Sequence, residues 1–231
     1  MREIVFDTET TGLDPKTGDR VVEIGCVELM DHFPTGETYH QYINPERDMP
    51  QEAFNVHGLS AQFLSDKPLF ADIADAFVEF IGDAVLVAHN ASFDLNFLNH
   101  ELSVLGKPTI GMDRVIDTLA LARRKHPGGQ NSLDALCRRF GIDNSARTLH
   151  GALLDSEILA DVYLELIGGH QAFLDLSEQN ASAGRGKGAV ADVPTLQRPS
   201  KLNARLTDEE RAAHASFVET LGEDAIWGRF N

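Results

Sequence analysis

The stretch VFDTETTG, Val5 to Gly12, constrains this chain more than any other. Its lead-in, Ile4 to Phe6, is apolar and β-branched or aromatic, as expected of a core strand. The same strand then carries Asp7 and Glu9, and a spacing of two puts both side chains on one face. Two like charges aimed at one spot beside a core need a cation between them. Further along, Asp94 opens an amphipathic helix with Phe97 and Leu98 on its own face. Asp155 shares the apolar stripe of another helix with Ile158, Leu159, Val162 and Leu166, and His150 stands just before that helix. Asp94 alone is explained by the helix dipole, which favours acids in a first turn. Asp155 and the Asp7–Glu9 pair have no such explanation. Four inward acids with no matching Lys or Arg on the same faces imply a divalent metal site. An all-oxygen donor set selects Mg²⁺ or Mn²⁺ over Zn²⁺.

Around these residues the pattern is that of a mixed α/β sheet flanked by helices. Residues 1–44 read as three antiparallel strands, with GLDPKTGD as the first turn. ADIADAFVEFI (71–81) has helical spacing, AVLVAH is a buried strand, and a helix over 92–105 ends at Gly106. RVIDT is read as a last strand, with helices over 118–125, 132–140 and 152–167. Residues 171–206 are small, polar and aperiodic, as in a flexible linker. Thr207 and Glu210 then have capping-box spacing, predicting a helix to about Leu221, followed by Ile226, Trp227 and Phe230. So short a tail cannot bury its own Phe217, Leu221 and Trp227, so it is expected to dock on another protein. The expected division is therefore 1–170 for the domain, 171–206 for the linker and 207–231 for the docking tail.

The formal net charge is −16, and the excess lies almost wholly in residues 1–170, with 27 acidic against 13 basic side chains. That argues against a protein gripping nucleic acid through a basic surface, but not against one that uses divalent cations or is delivered by a partner. Cys26 and Cys137 have no metal-ligand spacing and read as free thiols of a reducing, cytoplasmic compartment. No leader-like start and no apolar run of membrane-spanning length is read in the chain.

FDTETTG, AHNASFD and HGALLDSEIL resemble the three motifs of the DEDDh family of 3′–5′ exonucleases, whose fold is ribonuclease-H-like with a five-stranded sheet. QEAFNVHG, NSLDALCRRFGIDNSARTLHGALLD and the tail resemble the epsilon family of proofreading subunits of bacterial DNA polymerase III. The resemblance implies two metal ions sharing the scissile phosphate. Asp7, Glu9 and Asp155 would ligate one, with Asp7 bridging to a second reached by Asp94. It implies His150 as the general base, and nucleoside 5′-monophosphates as products. It further implies that a single-stranded 3′ end is held by the backbone of Thr8 to Gly12, including Thr10, by Leu13, by Glu52 and His57, and by Phe93. For partners, it implies the polymerase alpha subunit on the tail. QAFLDL, with Gln171, Leu174 and Leu176, resembles sliding-clamp peptides, though it also reads simply as a helix end entering the linker. The competing reading within the fold is a stand-alone exoribonuclease of the oligoribonuclease kind, which would need neither linker nor tail. A non-catalytic accessory subunit is the competing reading of another class, and it leaves the intact set of five motif residues without a use.

Overall fold

The computed structural model describes residues 1–168 and 207–221. Three antiparallel strands come first: β1 (Arg2–Thr10), β2 (Val21–Met30) and β3 (Phe33–Tyr42). Two short helices follow, α1 (Gln51–His57) and α2 (Ala61–Leu64), then α3 (Phe70–Ile81) and β4 (Val85–Ala88). Next come α4 (Ala91–Val104), β5 (Val115–Asp117), α5 (Thr118–Lys125), α6 (Leu133–Phe140) and α7 (Ala152–Ile167). The sheet order is β3-β2-β1-β4-β5, with β4 parallel to both β1 and β5. This is the expected mixed five-stranded sheet. The one element without a sequence-based expectation near the site is α1, a seven-residue helix after Pro50, too short to show a period.

Alternation along β1 divides its side chains between two cores. Ile4 and Phe6 pack with Phe77, Phe97 and Leu98 on the α3/α4 side, whereas Val5 packs with Leu159 and Tyr163 of α7 on the other. Asp7 and Glu9 continue the Val5 face and therefore point to the α7 side, while Thr8 continues the α4 side. β1 pairs with β4 only from Glu3 to Val5, so Asp7 to Thr10 run beyond the carboxyl end of β4. Open α/β sheets leave their crevice at that end.

Helix α7 lies close on the sheet because Gly25 of β2 has no side chain. A Cβ there would come within 2.2 Å of the Leu153 backbone nitrogen. Ser156 donates to the Gly25 carbonyl at 3.0 Å, fixing the helix one residue after Asp155. The remaining described segment is α8 (Asp208–Thr220), with the expected capping box between Thr207 and Glu210. Phe217 and Leu221 are both exposed. Gln171, Leu174, Leu176 and Trp227 lie outside the described residues. No described helix is long and apolar enough to cross a membrane.

Candidate active site

The four acids and the histidine converge at the open end of β1. Asp94, on the first turn of α4, is buried, and its Oδ1 accepts from the Thr8 hydroxyl at 2.7 Å and the Thr8 amide at 3.1 Å. That bonding ties α4 to β1 and orients the carboxylate, a more specific reason for the residue than the helix dipole. Asp155 reaches the site from the first turn of α7, where the helix dipole favours it as it does Asp94, contrary to the sequence-based expectation, and it is also buried. His150 is exposed in the loop before α7, its amide anchored on the Val56 carbonyl at 3.1 Å and its Nδ1 3.4 Å from Asp155 Oδ2. One donor atom each from Glu9, His150 and Asp155 lies within 4.8 Å of the others.

These acids differ from the buried carboxylates elsewhere in the fold. Glu101 is clasped by Arg20 at 2.7 and 3.0 Å, and Glu3 accepts from the Tyr163 hydroxyl at 2.7 Å on one oxygen while His32 Nδ1 lies 2.7 Å from the other. By contrast, Glu9 Oε1 is buried with no hydrogen-bond partner, and Glu9 has no ion pair among the described residues. Burial pushes Glu9 up to about 8, helped by repulsion from Glu23, Asp155 and Asp94. Asp7 is raised well above the carboxylate range by burial and by Asp94, Glu9 and Asp155, and burial lifts Asp94 to about 7. An orphaned buried oxygen within a mutually repelling acid cluster fits a divalent cation.

Beyond the helix and strand faces compared in the sequence, a loop brings one Arg to these acids. Arg147, from the loop before His150, holds Asp155 in a two-pronged pair, Nε to Oδ1 at 2.5 Å and Nη2 to Oδ2 at 2.7 Å. Its Nη2 also lies 2.9 Å from His150 Nδ1, and its Nη1 donates to Asp134 of α6 at 3.0 Å. Burial works to raise Asp155, but the hydrogen bonds from His150 and Arg147 outweigh it and hold the carboxyl below its usual value. One guanidinium does not neutralise four acids: Asp7, Glu9 and Asp94 have no such pairing. Arg147 sits in the text NSARTLHG, eight residues before Asp155, and comparing charges on one helix face could not find a partner contributed by a loop.

The remaining nucleotide-contact candidates line one cavity of about 600 Å³ with Asp7, Asp94 and His150. Thr8, Glu9, Thr10, Gly12 and Leu13 line it together with Glu52 and His57 of α1 and Phe93 in the first turn of α4. Leu13 is 84% exposed, an apolar side chain presented to the opening. His57 is buried, accepting the Leu59 amide on Nδ1 and leaving Nε2 unpartnered. Asp155 lines the adjoining depression with Asp7, Arg147 and His150.

The cluster's repulsion makes a stability prediction. Below about pH 4.5 Glu9 is neutral whether the chain is folded or not. Between there and about 8 only the unfolded chain has lost the proton, so the metal-free fold loses stability as pH rises. Glu9→Gln removes that loss. A tenfold difference in proton affinity between the folded and unfolded chain is worth about 1.4 kcal/mol. Asp7 and Asp94 retain part of the repulsion, so a gain of about 2 kcal/mol, roughly 4–8 °C in Tm, is expected at high pH. Thermal melts in EDTA should show the gain at pH 8 and none at pH 4.5; a variant no more stable than wild type at pH 8 contradicts the electrostatic reading.

Comparison with known proteins agrees with the site. The RNase T exonuclease family matches residues 4–163. DNA polymerase III subunit epsilon of Rickettsia felis is 47% identical over 96% of this chain and 97% of its own length. The Escherichia coli K12 subunit of the same name is 44% identical over 98% of this chain and 97% of its own. Among solved structures, Exonuclease X in complex with 5′ overhanging duplex DNA aligns with a TM-score of 0.57 at 28% identity, covering 71% of this chain and 90% of its own. The nuclease domain of 3′hExo, a DEDDh family member bound to rAMP, aligns with a TM-score of 0.63 at 18% identity, covering 72% and 91%, a likeness of fold. The chain is therefore an exonuclease of the RNase T family and belongs to its DNA polymerase III epsilon-subunit branch.

Proposed function

We propose that this protein is the 3′–5′ proofreading exonuclease of a bacterial replicative DNA polymerase, acting in the cytoplasm and releasing mispaired 3′-terminal nucleotides as nucleoside 5′-monophosphates. The convergence of Asp7, Glu9, Asp94, Asp155 and His150 at one end of a nucleotide-sized cavity carries the reading. Asp7, Glu9 and Asp155 would hold one divalent ion, Mg²⁺ or Mn²⁺, and Asp7 with Asp94 a second. Bound there, such ions acidify water and offset charge on phosphate and leaving oxygen.

The chain's own residues supply the rest. His150 accepts the proton of the attacking water: it is exposed at the mouth of the site, and the Asp155 carboxylate lies beside its ring. The Thr8–Gly12 backbone and Leu13 hold the terminal nucleotide. Glu52 and His57 contact its sugar or phosphate, and Phe93 packs beside it. A terminal base must leave the duplex to enter, so the substrate is a frayed or single-stranded 3′ end. Contacts to sugar, phosphate and ring faces give little base preference.

Release of mononucleotide from a 3′-labelled mismatched primer tests the assignment. Cleavage with Mg²⁺ and its absence in EDTA are expected; cleavage unaffected by EDTA refutes it. An RNA end cleaved far faster than a DNA end would favour the stand-alone trimming enzyme.

An acidic body binds free DNA poorly, so delivery by the polymerase is part of the proposal; tethering raises local concentration without a basic surface. The division into a domain, 1–170, a linker, 171–206, and a tail, 207–231, belongs to it too. Phe217 is 61% exposed on α8, an apolar side chain fit for a partner groove. Leu221 and Trp227 would join it on the alpha subunit, with Gln171, Leu174 and Leu176 offered to the sliding clamp. A chain ending near Ser200 should keep hydrolysis of single-stranded DNA and lose co-elution with the polymerase subunit. Continued co-elution removes the tail's role.

A further inference from the structure

The charge of the catalytic body is uneven. Between Thr118 and Phe140 there are five basic side chains and one acid, whereas the rest of residues 1–170 holds 26 acids and eight bases. The five are Arg123, Arg124 and Lys125 in the last turn of α5, and Arg138 and Arg139 in the last turn of α6. Arg139 is used internally, donating to Asn131 Oδ1 at 3.1 Å and the Gln130 carbonyl at 3.0 Å, which shapes the loop between the helices. Arg123 is exposed and makes no hydrogen bond or ion pair among the described residues.

Arg123 also faces a depression of about 570 Å³, lined by Gly128, Gly129, Asn131 and Ser132 of the loop and by His89 after β4. That depression adjoins the active site through shared lining residues. His89 and Ser132 also line the depression holding Asp7, Arg147 and Asp155, and His89 with Asp7 and His150 reaches the cavity of Leu13, His57 and Phe93. His89 Nδ1 lies 2.9 Å from Thr118 Oγ1, and its Nε2 is buried without a hydrogen-bond partner. The terminal-nucleotide cavity, the acid cluster and a basic corner thus adjoin one another around His89.

The chemistry gives that corner a meaning. Hydrolysis breaks the bond between phosphorus and the 3′ oxygen of the penultimate nucleotide. The released nucleotide therefore lies on one side of the acid cluster and the retained strand on the other. With the terminal nucleotide among Leu13, His57 and Phe93, the retained strand leaves towards His89 and the α5–α6 loop. Gly128 has φ +77° with nothing within 4 Å of a would-be Cβ, so its backbone is open to close approach. A guanidinium without a protein partner suits a phosphodiester oxygen.

We propose that Arg123, with the Gly128–Ser132 loop and His89, forms an upstream subsite that binds the first internucleotide phosphate 5′ of the scissile one. The proposal rests on the exonuclease reading and adds to it the footprint of the strand. It places a local basic patch where an otherwise acidic body needs one, and makes binding depend on at least three nucleotides.

Three substrates test it. The p-nitrophenyl ester of thymidine 5′-monophosphate has nothing 5′ of the cut, a dinucleotide without a 5′ phosphate adds only a nucleoside, and a trinucleotide adds the phosphate in question. Wild-type kcat/KM should step up from dinucleotide to trinucleotide. In Arg123→Glu that step should vanish, with the trinucleotide-to-ester ratio falling about tenfold through KM. The log–log salt dependence on a longer oligonucleotide should fall by about 0.7. Arg123→Lys should restore much of the ratio, since a cation remains.

An unchanged ratio in Arg123→Glu, or an equal loss on ester and trinucleotide, overturns the subsite. Failure of the wild-type protein to cleave any of the three with Mg²⁺ or Mn²⁺ overturns the exonuclease reading and the subsite with it.

Discussion

Asp7→Asn lowers mononucleotide release by about 10³-fold or more, the scale expected when several kcal/mol of metal-derived charge stabilisation is lost. Asp7 is the residue to choose because burial, and then repulsion from Asp94, Glu9 and Asp155, raises its pKa. Removing the charge should cost the metal-free fold nothing. A group whose folded pKa is raised costs stability once pH passes its unfolded value, so the amide should melt no lower than wild type in EDTA at pH 8. The diagnostic result is therefore a pair: activity gone, and fold intact or firmer. Thermal melts in EDTA beside Mn²⁺ calorimetry check it, the variant losing the rise in Tm that Mn²⁺ gives the wild type. Loss of activity with a collapsed fold would mean that Asp7 is structural.

His150→Ala lowers kcat by about 10²–10⁴-fold, the range for losing a general base. The variant must separate two roles, because the His150 ring lies within 4.8 Å of donor atoms of Glu9 and Asp155. A base lost from the loop leaves the acids able to bind Mn²⁺ nearly as before. A ligand lost lowers Mn²⁺ affinity in step with activity. His150 is exposed and its backbone is held by Val56, so the substitution leaves the helix start in place. Calorimetric Mn²⁺ affinity within a few-fold of wild type, together with the fall in kcat, is the expected outcome.

The sequence made three of the acids legible because they broke a pattern. Asp155 interrupts an apolar stripe on α7, and Asp7 and Glu9 extend a strand whose preceding residues belong to the core. Both of those signals are local, within one strand or one helix. Arg147 was hidden because its partners are contributed by other elements: Asp134 on α6, His150 in the loop, and Asp155 on α7. Helix α1 was hidden for a different reason. Seven residues starting after Pro50 give less than two turns of pattern, although Gly58, at φ +74°, closes the helix as a left-handed cap would. The basic corner on α5 and α6 vanished into an overall charge of −16. Averaging charge along the chain conceals a patch made by two neighbouring helix ends.

The central claim is that these carboxylates converge to bind divalent cations. A crystal structure with Mn²⁺ and a nucleoside monophosphate, read by anomalous scattering, tests it most directly. Anomalous peaks bounded by Asp7, Glu9, Asp94 and Asp155, with Arg147 no longer holding both oxygens of Asp155, are predicted. A map without a manganese peak among these acids, and with Arg147 still clasping Asp155, would contradict the account.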